Sequence, residues 1–315
     1  MSALSIRETR PLLLLASFRH LCQSQIAEFL FAGLPFAEAS KPVLTRRILR
    51  RLLGRGLIAS VPRPSSEPGG ASARLAYVLT RAGHAVAQSL TTGLPRWQTS
   101  RSTFLVSHSL ATADVALAFH RAARSRPNHE VIAWHSDWQS ALRLGPSRVV
   151  PDAHLVYATA NYEIDAFVET DMGTEGTRFF GRKIASYLDL YRSGTWQAQL
   201  RTWPVILTVT PNAARAAALR RATESVLSAE RDSARVVQVT EFRFAHLTDV
   251  LGRVGPLGEI WQVACRRGPR SLLSDSRIAS EEHAPIVTDE SGVPEAGAAK
   301  YGGPFHPVAR VFGDR

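Results

Sequence analysis

Residues 149–192 read VVPDAHLVYATANYEIDAFVETDMGTEGTRFFGRKIASYLDLYR, and their periodicity decides the fold of the larger part of the chain. Two runs rich in β-branched and aromatic residues, 149–158 and 162–170, flank a short Ala160-Asn161 turn and read as an antiparallel hairpin. Residues 177–192 switch to helical spacing, with Phe180, Ile184 and Leu188 in one apolar row. Along the second strand the period of two puts Phe167, Glu169 and Asp171 on one face and Ile164, Ala166 and Val168 on the other. Asp152 opens the neighbouring strand after Pro151, and Lys183 and Tyr187 stand four apart beside the apolar row.

Three carboxylates on adjoining strand ends repel one another unless a cation lies between them. Hard oxygen ligands with positions left open for water and phosphate suit Mg²⁺ or Mn²⁺. Such a metal activates a water and neutralises the charge that develops when a phosphodiester is cut. Asp152, Glu169 and Asp171 are therefore the candidate metal ligands, and Asp152, Glu169 and Lys183 the candidate catalytic residues. An ammonium held near the packed side of a helix needs an anionic partner, and its compact charge is suited to orienting a water. The plainer alternative is that Asp152 only starts a strand, Glu169 and Asp171 solvate an edge, and Lys183 snorkels.

Outward from this stretch, a helix over 103–124 carrying His108 and Asp114 and a strand over 131–135 come before it. A strand over 203–210, a helix over 213–229 and short strands over 236–240 and 260–264 come after it. The alternation predicts a mixed-sheet α+β domain over 94–265. Upstream, helices over 11–21, 24–31 and 41–54 are followed by strands over 57–61 and 75–79, with a Pro/Gly/Ser-rich loop between them, and by a helix opening at Thr80. Three helices and a hairpin with a flexible tip give the layout of a winged helix-turn-helix over 1–93. In its third helix Leu44, Ile48 and Leu52 form the inward stripe, while Arg46, Arg47, Arg50 and Arg51 fall away from it. A helix of this kind can dock on its own core and enter a major groove, its arginines bonding phosphates or guanine edges; the alternatives are an arginine face that is simply solvated and a winged helix that binds only protein. Residues 266–315, rich in Gly, Pro, Ser and acidic side chains, read as a disordered tail.

Charge agrees with this division. The chain of 315 residues has a formal charge of +11, and residues 1–96 hold thirteen Arg plus Lys against four Asp plus Glu. A basic module attached to a near-neutral one points to a polyanion, most simply double-stranded DNA. Lys41, Lys183 and Lys300 are the only lysines in an arginine-rich chain, which singles out Lys183. Cys22 and Cys265 have no ligand-like spacing, so zinc and a disulfide framework are excluded as organising principles. No stretch is long and apolar enough for a membrane span, and the run Leu12–Leu15 lacks a signal-peptide context, so a cytoplasmic protein is expected. P-loop, nucleophile-elbow and dinucleotide-binding glycine motifs are absent.

Several of these residues together resemble the replication-relaxation family of plasmid and integrative-element proteins. The resemblance rests on Pro151-Asp152, Glu169-Thr170-Asp171-Met172-Gly173-Thr174, Lys183 with Tyr187, His108, and Tyr77-Val78-Leu79-Thr80 with Gly83. It implies a winged helix joined to a domain similar to the PD-(D/E)xK restriction-endonuclease fold, related to MobC-type relaxases that nick DNA at a transfer origin. It implies Mg²⁺ or Mn²⁺, a plasmid or transfer-origin duplex, accessory contacts from His108 and Tyr187, and a homodimer or other mobilisation proteins as partners. One departure stands out: Asp171 occupies the position where that motif has lysine, so either Lys183 supplies the ammonium from the helix or the fold binds DNA without cutting it.

Overall fold

The computed structural model describes residues 4–63, 75–97, 102–144, 149–173, 175–230 and 233–273. The described chain forms two compact units, one ending at Leu117 and one beginning at Ala118.

In the first unit α1 (Ile6–Phe18) starts at a capping box in which Ser5 Oγ and Ser5 N both donate to Glu8, at 2.7 and 3.0 Å. It is followed by β1 (Leu21–Cys22), α2 (Gln23–Phe31), α3 (Ser40–Gly54), β2 (Ile58–Pro62), β3 (Leu75–Leu79), α4 (Arg81–Leu90) and α5 (Thr103–Arg124). The three strands form an antiparallel sheet in the order β1-β3-β2. This is the winged helix-turn-helix the sequence predicts, with the two-residue β1 added because two residues carry no periodicity. The wing tip over 64–74 lies outside the described residues.

Two details differ from expectation. The inward stripe of α3 is Thr45, Ile48, Leu49 and Leu52, with Leu44 only half-buried. Thr45 can face the core because its hydroxyl donates to Lys41 O at 2.8 Å. The start of α5, expected in the larger domain, belongs to the first unit: Val106 and Leu110 pack with Cys22, Val61 and Ala76. There the Gln25 side-chain amide donates to Leu110 O at 2.9 Å and to Asp114 at 2.7 Å.

The second unit is built on a sheet of order β10-β9-β8-β7-β6-β5-β4. β4 (Glu130–Ser136), β5 (Ala153–Ala158) and β6 (Glu163–Thr170) form an antiparallel meander. β6, β7 (Val205–Thr210) and β8 (Phe242–His246) run parallel, and β9 (Trp261–Val263) and β10 (Pro269–Arg270) return antiparallel. A parallel pair needs a crossover. α7 (Thr177–Ser193) supplies it between β6 and β7, and α8 (Ala213–Ser228) with α9 (Ser233–Val239) between β7 and β8. α6 (Asp137–Leu144) lies between β4 and β5, and α10 (Leu247–Leu251) follows β8. Phe167, Ile206, Phe242 and Phe244 from the strands share a core with Phe180, Ile184, Tyr187 and Leu188 of α7 and Leu219 of α8.

The strand expected over 236–240 is instead the end of α9, closed by Thr240, whose N–H and hydroxyl both donate to Val236 O. The strand begins at Phe242, where Phe242 and Phe244 fill the core and Ile206 N donates to Glu241 O at 2.8 Å. The first residues of the expected disordered tail, 266–273, are instead structured: β10 lies among them, and Ser271 O accepts from the fully buried Arg243 at 2.8 Å. Residues 274–315 lie outside the described part.

Candidate functional site

Ligand sites on parallel strands gather at the carboxyl ends, where connecting loops leave the sheet. β6 ends at Thr170, and its last inward-facing residue is Glu169, only 3% exposed. The α7 row meets it there. Lys183 Nζ donates to one carboxylate oxygen of Glu169, and the Tyr187 hydroxyl donates to the other. The i, i+4 spacing of the sequence thus brings a lysine and a tyrosine onto one buried acid. Asp152, just before β5, accepts from Thr170 N at 2.7 Å, which ties the start of β5 to the end of β6.

The electrostatics follow from burial. Desolvation pushes the Glu169 carboxyl up to about 7; the Lys183 ammonium pulls it back in part, and the nearby Asp152 charge pushes it further up. For Lys183 burial alone would lower the ammonium, but the charges of Glu169 and Asp152 outweigh it and hold it above its usual range. The Tyr187 phenol is held neutral, well above its ordinary value, by burial and then by Glu169. Two carboxylates and one ammonium therefore act on one another around the buried Glu169, whose carboxyl is raised by burial despite its lysine partner.

Asp171 goes elsewhere. Its carboxylate takes a two-pronged bond from Arg215 of α8, Nε and Nη2 each at 2.8 Å, and accepts from Gly173 N at 2.7 Å. Arg215 also donates to Glu175 O at 2.6 Å. Gly173 has φ +79°, so this turn needs a residue free to adopt the left-handed region. Asp171 and Arg215 thus clamp the connection between β6 and α7, the segment that sets Lys183 against Glu169. Among the described residues no group of three or more His, Cys, Asp or Glu is arranged to hold a metal ion.

Asp152 and Glu169 are the two carboxylates whose charges act on one another here, and among the described residues no third acidic, histidine or cysteine side chain joins them in a metal-holding group. Mg²⁺ is commonly held by one or two carboxylates plus waters and substrate phosphates. Each carboxylate oxygen of Glu169 has a second lone pair beside its bond to Lys183 or Tyr187. Thr208 of β7, the register partner of Glu169, is fully buried, and its hydroxyl has no hydrogen-bond partner among the described residues. That oxygen, on the strand register beside Glu169, is a buried polar atom left without a partner among those residues. Neither Thr208 nor Arg215 stands out by spacing; the one signal for Thr208 is a hydroxyl following the apolar run Val205-Ile206-Leu207.

The other predicted residues lie in the first unit. Arg46, Arg47, Arg50 and Arg51 are all exposed on α3, away from its buried stripe. Arg51 also acts on Glu8, whose carboxyl is lowered first by its bonds to Ser5 and then by the charges of Arg55 and Arg51. His108 is half-buried on α5, its ring centroid 6.1 Å from that of Phe104.

A winged helix followed by a mixed sheet with a buried Glu–Lys–Tyr group defines a two-part α+β protein. A family model described as replication-relaxation matches residues 12–206, more than half of the chain, and the chain belongs to that family. The match takes in α3, Asp152, Glu169 and Lys183. Membership suggests a role in plasmid or mobile-element replication or mobilisation. Comparison with curated proteins and with solved structures found no match. Among the described residues no helix is long and apolar enough to cross a membrane.

Proposed function

We propose that this is a DNA-binding protein of plasmid or mobile-element replication or mobilisation whose second unit cuts one DNA strand with Mg²⁺ or Mn²⁺. The observation that carries the reading is the buried Glu169, held between Lys183 and Tyr187 with the Asp152 charge beside it. A structural ion pair needs neither the second carboxylate nor the orphaned Thr208 hydroxyl. In this reading Asp152 and Glu169 would hold the cation, which would activate a water and neutralise charge on the phosphate. Lys183 orients that water or steadies the phosphate, and Tyr187 fixes the Glu169 carboxylate. Supercoiled plasmid carrying the cognate origin, incubated with protein and either metal, should give open circles. Protein carrying Asp152→Ala should give none, and a wild-type protein that binds the plasmid without nicking it in any metal refutes cleavage.

The DNA-binding half rests on the exposed arginines of α3. Arg46, Arg47 and Arg50 point away from the packed stripe, whereas part of the Arg51 charge is directed at Glu8. The triple variant Arg46→Ala, Arg47→Ala and Arg50→Ala is expected to weaken duplex binding and flatten its salt dependence, by about one in log–log slope for each phosphate no longer neutralised. Arg51→Ala should do less. A titration across salt concentrations checks this, and an unchanged slope removes α3 as the DNA-reading helix.

A further inference from the structure

Phe179, Lys183 and Tyr187 stand at i, i+4 and i+8 on α7 and so form a single row along its surface. The row climbs out of the core: Tyr187 is fully buried, the Lys183 side chain is 26% exposed, and Phe179 is 46% exposed. Its inner two members are bound to Glu169. Its outer member, one turn further toward the helix start, is a large aromatic ring left in solvent. Arg182 lies over that ring, 5.3 Å from its centroid, and Arg178, also exposed, is four residues before Arg182 on the same face. No acidic residue stands in the first turn of α7 to neutralise them.

We propose that Phe179, with Arg178 and Arg182, is a stacking platform for an unpaired DNA base at the rim of the Glu169–Lys183 centre. The half-exposed ring already holds a cation on its face, the arrangement an aromatic–arginine surface offers to a flat partner. The Arg182 guanidinium on the ring, with the exposed Arg178 one turn before Arg182, fits a partner that is flat and apolar in one part and anionic in the next. A nucleotide of a single strand has that composition, and in a duplex the base faces are already stacked on one another. The arginines pair with the flanking phosphates, and Arg182 already shows the ring-facing geometry that a stacked base would extend. Through the shared row, a base on Phe179 brings its own phosphate toward Lys183. The proposal rests on the second unit being the one that acts on DNA, and it adds that the strand presented there is unpaired.

The test uses binding rather than cleavage, so the two readings fail separately. Full-length protein is titrated into a fluorescein-labelled oligothymidylate and, in parallel, into a blunt duplex. Phe179→Ala is expected to weaken oligothymidylate binding by about tenfold, within the range for removing one base–aromatic stack, and to leave duplex binding within about twofold. Phe179→Trp should keep or improve the single-strand affinity, and Arg182→Gln should lower it and reduce its salt dependence. A wild-type protein that does not bind oligothymidylate overturns the platform. So does equal weakening in Phe179→Ala and Phe179→Trp, or Phe179→Ala binding like the wild type. A Phe179-dependent single-strand affinity in a protein that never nicks keeps the platform and removes the cleavage reading.

Discussion

Lys183→Met is expected to abolish strand cleavage and to lower the stability of the second unit by about 3 kcal/mol near pH 8, the scale for removing one partner of a buried ion pair. Methionine keeps most of the apolar stem, so the change isolates the ammonium. Glu169 would remain almost wholly buried, bonded to Tyr187 alone and repelled by the charge of Asp152. The pH dependence gives the signature. Glu169 titrates in the fold at about 7, above its ordinary carboxyl value of 4.5, so the unfolded chain loses that proton first. Its contribution to stability is full below about 4.5 and is lost as pH rises toward 7, at up to about 1.4 kcal/mol per pH unit. Without Lys183 the folded value moves higher, and the loss continues above neutrality. Urea unfolding at pH 5 and pH 8 should therefore show a small deficit at the lower pH and a large one at the higher. An equal deficit at both would mean that Glu169 is not held by the lysine charge.

Gly83→Ala is the second large effect, and it concerns the first unit. Alanine ordinarily favours a helix over glycine by about 1 kcal/mol. Here the added Cβ would lie 1.8 Å from Leu57 O and 2.8 Å from its carbonyl carbon. Leu57 cannot move away cheaply. Its carbonyl accepts from Thr80 N at 3.1 Å, and the Thr80 hydroxyl both donates to Gly56 O at 2.6 Å and caps α4 through Gly83 N. The substitution therefore pushes apart the start of α4 and the turn between α3 and β2, with an expected cost of about 3 kcal/mol, at the upper end for overpacking. Gly181→Ala is the control. That Cβ would meet Val226 Cγ2 at an ordinary 3.6 Å, so helix propensity should prevail and stability should hold or rise slightly. Thermal or denaturant unfolding of the two variants side by side checks the argument. Similar behaviour of both would show that the close approach of α4 to Leu57 is absent.

Where periodicity was strong, the sequence was enough. The hairpin of β5 and β6, the α7 row and the order of helices and wing in the first unit all follow from alternation, helical spacing and glycine stops. Segments set by their neighbours were not legible. β1 is two residues defined only by pairing with β3, and α9 carries β-branched residues that are helical because β7 and β8 need a crossover. In the site, the strand face of Glu169 and the helix row of Lys183 and Tyr187 were readable because each spacing fixes a face; that both side chains bind Glu169 was not, because spacing leaves the partner of Lys183 open between a carboxylate and a phosphate. The fate of Asp171 was not. Its strand parity aims it with Glu169, but it stands one residue beyond β6 and its partner Arg215 is 44 residues away. No local pattern distinguishes a third metal ligand from one end of a clamp.

The central claim is a two-carboxylate cation site aided by Lys183, with Asp171 serving the connection beside it. The most direct measurement is the rate at which excess protein nicks cognate plasmid in Mg²⁺, compared between Asp152→Asn and Asp171→Asn. Asn at 152 removes a charge that would hold the cation and should slow nicking by roughly a thousandfold or more, the equivalent of a few kcal/mol of transition-state stabilisation. Asn at 171 keeps an oxygen for Gly173 N and for Arg215, so nicking should fall by less than about tenfold. Absence of nicking by the wild-type protein, or an equal fall in the two variants, would contradict the account.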